Sequence, residues 1–179
     1  STGMSNLKEI ESAIKVMTRN GTPLKKITIL HCTSAYPTNA IDVNLKAMIS
    51  LKNQFGTEVG YSDHSMGIEA PVIAVSLGAK IIEKHFTLDR KFWGSDHKVS
   101  MEPSEMKEMI ELIKSKDYSS IDVNDYYGNK TRELEGSNNI FRPFFEKKIV
   151  ASDNLQKGVV ITEDLIYTMR PSREIEGIP

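Results

Sequence analysis

Apolar and polar positions follow two rhythms along this chain. Leu7, Ile10, Ala13, Ile14 and Met17 recur at helical spacing, Asn6 and Glu9 have the pattern of a capping box, and Gly21 and Pro23 follow. A helix is therefore predicted over 5–20. Leu45, Met48, Leu51 and Phe55 predict a second over 42–55, closed by Gly56. A third is expected over 69–77, with Pro71 tolerated in its first turn and Gly78 after its end. Ser104 is expected to cap a fourth, carrying Met106, Met109, Ile110 and Ile113. Short apolar runs at 27–30, 58–61 and 79–82 lie between them and read as buried strands. This β-α-β-α-β-α order requires parallel strands joined by right-handed crossovers.

The texture then changes. Residues 117–140 are rich in Asp, Asn, Ser, Tyr and Gly with almost no apolar periodicity, and read as an interdomain linker, partly ordered by Tyr118, Tyr126 and Tyr127. From Phe141 onward, apolar runs at 148–151, 158–161 and 165–169 alternate with turn residues Asp153 and Asn154, and Thr162 is placed to cap a short turn. This pattern predicts a small β-rich module. The expected organisation is 1–116, a linker at 117–140, and a second domain at 141–179.

Each predicted strand of the first part ends in a knot of reactive side chains: His31-Cys32-Thr33-Ser34-Ala35-Tyr36, then Ser62-Asp63-His64, then Glu83-Lys84-His85. Parallel strands whose C-terminal ends carry chemistry point to a (β/α) barrel active site. At 179 residues the chain is too short for a complete barrel of ~250 residues plus a second domain. Both ends look cut, and the chain is expected to be part of a longer protein. Pleat parity puts Ser62 with His64 on one face and Asp63 on the other; it puts Glu83 with His85 and turns Lys84 away. His64 and His85, on neighbouring strands, could bind a divalent metal together. The competing chemistry is a Schiff base on Lys84.

Plainer readings stand beside these. A strand-end histidine is commonly a hydrogen-bonded core residue, and Glu83 and Lys84 could serve only in ion pairs. Cys32 reads as a small buried hydrophobe. Asp96, in Gly94-Ser95-Asp96-His97, sits either on a surface turn or at a substrate-binding position. Ser1-Thr2-Gly3, just before a helix, suits an anion. Composition excludes other classes. With 39% hydrophobic and 26% charged residues and a net charge of −1, the chain has an ordinary globular make-up and no basic field for nucleic acid or anionic membrane. One cysteine excludes a disulfide framework and fits a reducing, cytoplasmic setting. No apolar run is long enough to span a membrane.

Assembled in order, Ser1-Thr2-Gly3-Met4, His31 to Pro37, Gly60-Tyr61-Ser62-Asp63-His64, Glu83-Lys84-His85-Phe86-Thr87, Gly94-Ser95-Asp96-His97 and Ser100-Met101-Glu102-Pro103 resemble the sialic acid synthase family. Arg142-Pro143, Ala151, Lys157-Gly158 and Arg170-Pro171 resemble its C-terminal antifreeze-like (SAF) domain. The resemblance implies an α/β fold: the C-terminal half of a (β/α)8 TIM barrel followed by the small β-rich SAF domain. It implies His64 and His85 as metal ligands, with Mn²⁺ favoured over Mg²⁺. Ser1, Ser34 and Ser62 are implied as contacts to phosphoenolpyruvate, with Ser34 standing where some members have Asn. Tyr36, Glu83 and Asp96 are implied as contacts to the amino sugar, with Glu83 and Asp96 as the catalytic residues that orient its hydroxyls or a metal-bound water. Arg170 would reach into the partner's site in a domain-swapped homodimer. The implied reaction joins phosphoenolpyruvate to an N-acetylated sugar aldehyde, and this chain alone is expected to be inactive. A Lys84 aldolase and a non-catalytic carbohydrate-binding module remain as alternatives.

Overall fold

The computed structural model describes residues 1–116, 118, 121–129, 142, 143 and 145–170. The chain divides into two compact units, 1–138 and 139–179.

The first unit begins with helix α1 (Leu7–Arg19). Its capping box is reciprocal: Asn6 Oδ1 accepts from the Glu9 N–H at 3.0 Å, and the Glu9 carboxylate accepts from the Asn6 N–H at 2.8 Å. Strand β1 (Thr28–Cys32) follows, then helices α2 (Ala40–Val43) and α3 (Lys46–Phe55). The stretch predicted as one helix over 42–55 is therefore two. Asn44 takes a left-handed backbone, φ 48°, and breaks the run. Gly56, φ 64°, closes α3 as expected. Strand β2 (Glu58–Asp63), helix α4 (Glu69–Ser76), strand β3 (Ile82–Lys84) and helix α5 (Pro103–Ser115) complete the series. The residue flanking α5 is Glu102, with Pro103 at the first helical position, so Ser104 lies inside the helix rather than at its cap.

The sheet is parallel, in the order β1-β2-β3. In register, Ile29 pairs with Val59, and Tyr61 with both His31 and Ile82. Ile29, Val59 and Tyr61 form one core with Met48 and Leu51 of α3, Ile10 and Ile14 of α1, and Ile73 of α4. Helix α4 is apolar nearly all round, and Ala70 to Ala74 are all buried. That is expected of a helix covered on both sides: Ile73 faces the sheet core, while Val72 packs with Met101 and Met109. Gly60 lets Leu30 lie across β2, because a Cβ there would meet the Leu30 side chain and the Ile81 carbonyl.

Part of the predicted linker packs on this unit. Helix α6 (Asn124–Tyr127) lies against α2, and Ile121, Val123, Tyr126 and Tyr127 rest on the core. The Leu45 N–H donates to the Tyr126 carbonyl at 2.9 Å, and the Asn129 N–H to Asn44 Oδ1 at 3.1 Å. Residues 117, 119, 120 and 130–140 of that stretch lie outside the described residues.

In the second unit, β4 (Lys148–Ala151) pairs antiparallel with β5 (Ile166–Met169). A single 3₁₀ turn, 163–165, precedes β5. The run at 158–161 does not form the predicted strand; Val160 and Ile161 are exposed. Residues 141, 144 and 171–179 of the predicted second domain are outside the described residues.

Candidate functional site

Register carries the strand-end side chains to one place. Cys32 pairs with Ser62, and Ser62 with Glu83, so these three share the sheet face opposite the helix core. Ser62 Oγ donates to Glu83 Oε1 at 2.7 Å. Just past the strand ends, three rings cluster. Tyr36 lies 4.2 Å from His64 and 5.7 Å from His85, centroid to centroid, and the two imidazoles meet edge to face at 5.2 Å. Asp96 Oδ2 is 3.9 Å from His85 Nδ1, at the start of a 3₁₀ turn over 96–99.

His64 is buried, and its Nδ1 sits 2.8 Å from the Thr33 carbonyl. A carbonyl only accepts, so Nδ1 carries the proton, and Nε2 is left as the ring nitrogen with a lone pair to offer a cation. Metal-binding histidines are typically oriented this way, by a second hydrogen bond to a backbone carbonyl. His85 adds a second nitrogen. Among the described residues no group of three or more His, Cys, Asp or Glu side chains is gathered to hold a metal. The donors present are thus an imidazole pair, which fits a divalent ion whose other positions go to water or substrate.

The phenol of Tyr36 is held above its ordinary pKa, first by burial and then by the proximity of Cys32 and Asp96. It is a protonated hydroxyl near neutral pH, able to donate and accept. Ser34 is buried, and Gly3, at φ 38°, brings its backbone so close that a Cβ there would lie 3.4 Å from Ser34 Oγ. Thr2 fixes this approach: its N–H and hydroxyl both donate to the Leu30 carbonyl, at 2.8 and 3.0 Å. Ser1 is exposed beside it. Arg170 belongs to the second unit, its guanidinium 4.4 Å from the centroid of the Phe145 ring.

The two residues facing away are not spectators. Lys84 Nζ pairs with Asp63 Oδ2 and donates to the Ser65 carbonyl at 2.6 Å, and both charged side chains are almost wholly buried. The other Asp63 oxygen accepts from Tyr61 Oη at 2.9 Å and from the Ser65 N–H at 2.8 Å. The plainer sequence reading of Lys84 as an ion-pair residue is what the structure shows; its partner Asp63, and the bonds to Tyr61 and Ser65, were not named, although parity had already put Asp63 and Lys84 on one face. His31 is a core residue, its Nε2 2.8 Å from the Val43 carbonyl and its ring stacked on Tyr61.

The NeuB family matches residues 1–122. The N,N'-diacetyllegionaminic acid synthase of Campylobacter jejuni is 43% identical over 99% of this chain and 51% of its own length. The enzyme of that name from Legionella pneumophila is 38% identical over 98% of this chain and 48% of its own. Among solved structures, the spore coat polysaccharide biosynthesis protein SpsE of Bacillus subtilis superposes with a TM-score of 0.83 at 30% identity, covering 97% of this chain and 50% of that one. The chain thus spans about half the length of the curated relatives it matches. No helix among the described residues is long and apolar enough to cross a membrane.

Proposed function

Because the chain belongs to the NeuB family, we propose that it carries the metal- and acceptor-binding part of a synthase. The reaction joins phosphoenolpyruvate to an N-acetylated amino-sugar aldehyde, N-acetylmannosamine or a diacetamido-dideoxyhexose, giving a nine-carbon α-keto acid and phosphate. The observation that carries this reading is the Tyr36–His64–His85 ring cluster at adjacent parallel strand ends, directly beyond the bonded Ser62–Glu83 pair. In this reading the three-stranded sheet is the C-terminal part of a (β/α)8 barrel and 139–179 is a SAF domain.

C3 of phosphoenolpyruvate bonds to the aldehyde carbon, water adds at C2, and the resulting tetrahedral centre expels phosphate. His64 and His85 would hold a divalent cation, Mn²⁺ in preference to Mg²⁺ for nitrogen donors, which when bound supplies Lewis-acid polarisation of the aldehyde. The hydroxyls of Ser1 and Ser34 donate to the phosphate and carboxylate of the donor, and that of Ser62 joins them by turning its one proton away from Glu83 when the donor binds. Tyr36, Glu83 and Asp96 fix the acceptor's hydroxyls so that the reacting carbons meet in line. The Ser62–Glu83 bond, 2.7 Å long, ties a donor-side group to an acceptor-side group. Arg170, delivered by the partner of a domain-swapped homodimer, would hold the N-acyl group.

A Lys84 Schiff base is less well supported, because Nζ is buried in an ion pair on the other face of the sheet. The test is phosphate release by the full-length protein with phosphoenolpyruvate and a panel of amino-sugar aldehydes, with and without EDTA. Turnover lost in EDTA and restored by Mn²⁺ is expected. Metal-independent turnover removes His64 and His85 from their role, and borohydride trapping of a keto-acid adduct would return the reaction to Lys84.

A further inference from the structure

Beyond Asp63 and Lys84 the paired strands part company. The last residues of β2 and β3 in register are Asp63 and Lys84, so His64 and His85 stand one step past the end of the pairing. From there each backbone turns to a different neighbour. The His64 carbonyl accepts from the Thr38 N–H at 2.9 Å, and the His85 carbonyl from the Met101 N–H at 2.8 Å. The last tie between the two strands is therefore the buried contact beneath the histidines, on the opposite face.

That contact brackets His64. Lys84 Nζ reaches the carboxylate of Asp63, the residue before His64, and the carbonyl of Ser65, the residue after it. Asp63 Oδ1 also accepts from the Ser65 N–H at 2.8 Å, closing the three-residue turn that carries His64. Lys84 itself immediately precedes His85. One ammonium thus connects both flanks of one histidine to the backbone of the other. The charges are matched and shielded, with side-chain exposures of 3% and 0%, so the tie is not weakened by solvent or salt as a surface pair is.

We propose that Asp63 and Lys84 are positioning residues whose buried ion pair sets the separation and orientation of His64 and His85 as a metal-binding pair. This rests on the metal reading given above. A packing role alone would alter stability and leave metal affinity in the folded protein unchanged.

The test uses full-length protein without substrate, with Mn²⁺ as the probe. Its affinity is read from the electron paramagnetic resonance signal of the free ion, and folding from circular dichroism. Wild type, Lys84→Met and the double variant Asp63→Asn/Lys84→Met are compared; the double variant buries no lone charge, so it is the one expected to keep its fold. The expected result is a rise of about tenfold or more in the Mn²⁺ dissociation constant of the folded variants, about the loss a displaced ligand-orienting group produces. Excess Mn²⁺ should restore part of the turnover, which a nucleophilic role for Lys84 does not allow. Folded variants that bind Mn²⁺ as wild type does would overturn the proposal. A double variant that cannot fold makes the pair a folding element and refutes it equally. Wild type that binds no Mn²⁺ overturns the metal reading itself, and this inference with it.

Discussion

Tyr61→Phe isolates one bond in the buried cluster beneath the histidines. Tyr61 is 1% exposed and donates to Asp63 Oδ1 at 2.9 Å, while its ring stacks on His31. Phenylalanine keeps the ring and removes only the hydroxyl. A hydrogen bond to a charged acceptor contributes about 1.5–3 kcal/mol. Asp63 retains the Ser65 N–H and Lys84, which puts the loss in the lower half, about 1.5–2 kcal/mol at neutral pH. The pH dependence is a second signature. Burial, then the nearby Asp63 carboxylate, holds the Tyr61 phenol well above its ordinary pKa. The stability this confers is fully present below the unfolded value of about 10. As pH rises beyond it, the unfolded chain releases the proton that the native state keeps. Stability then falls by up to about 1.4 kcal/mol per pH unit for this group. Phenylalanine has no proton to release, so the deficit of the variant should shrink in alkali. Equilibrium urea unfolding of the full-length proteins at about pH 8 and about pH 11 measures both effects. A deficit under about 0.5 kcal/mol at the lower pH, or one unchanged at the higher, would refute the reasoning.

Glu83→Ala should lower kcat/KM for phosphate release by about 10²-fold through lost alignment of the acceptor. Its thermal midpoint should fall by only a few degrees, because Glu83 is exposed and the stability lost is that of its one bond from Ser62, about 1 kcal/mol; a loss of kcat/KM below about threefold would argue against contact with substrate. Gly60→Ala drives a methyl group into the Leu30 side chain and the Ile81 carbonyl, so a cost of about 1–3 kcal/mol is expected in thermal unfolding. An unchanged midpoint would mean that Leu30 moves aside freely. Asn44→Ala places alanine at φ 48° and removes the acceptor of the Asn129 N–H. Together these should cost about 2 kcal/mol, and faster amide exchange over 124–129 would locate the damage.

The parallel sheet and its covering helices were legible because their signals are local: apolar runs, helical spacing, the Asn6–Glu9 box and Gly56. Alternation alone put Ser62 and Glu83 on one face and Asp63 and Lys84 on the other, and each pair proves to be in direct contact. Register made those contacts, and register is a tertiary property that one sequence does not display. Within 121–129 only the ordering by Tyr126 and Tyr127 was anticipated; the short helix and the burial of Ile121 and Val123 escaped notice for a related reason. The apolar residues of this stretch answer to the surface of α2 and the core below, so they carry no periodicity of their own. The run at 158–161 has β-type residues but finds no partner strand among the described residues, an instance of context overriding propensity. The break at Asn44 and the flanking role of Glu102 were within reach of turn and capping rules, which allowed more than one choice at each point.

The bond from the Met101 N–H to the His85 carbonyl has a companion, from the Thr87 N–H to the Met101 carbonyl at 2.9 Å. Together they close the base of the 88–100 loop, which carries Asp96 and the almost fully exposed Trp93. The loop is therefore a cassette with stapled ends. The natural graft boundaries are Thr87 and Met101: sequence exchanged between them, at any loop length that lets the two ends meet, leaves the backbone grip on His85 in place, and proline at Thr87 or Met101 would remove one of its two donors.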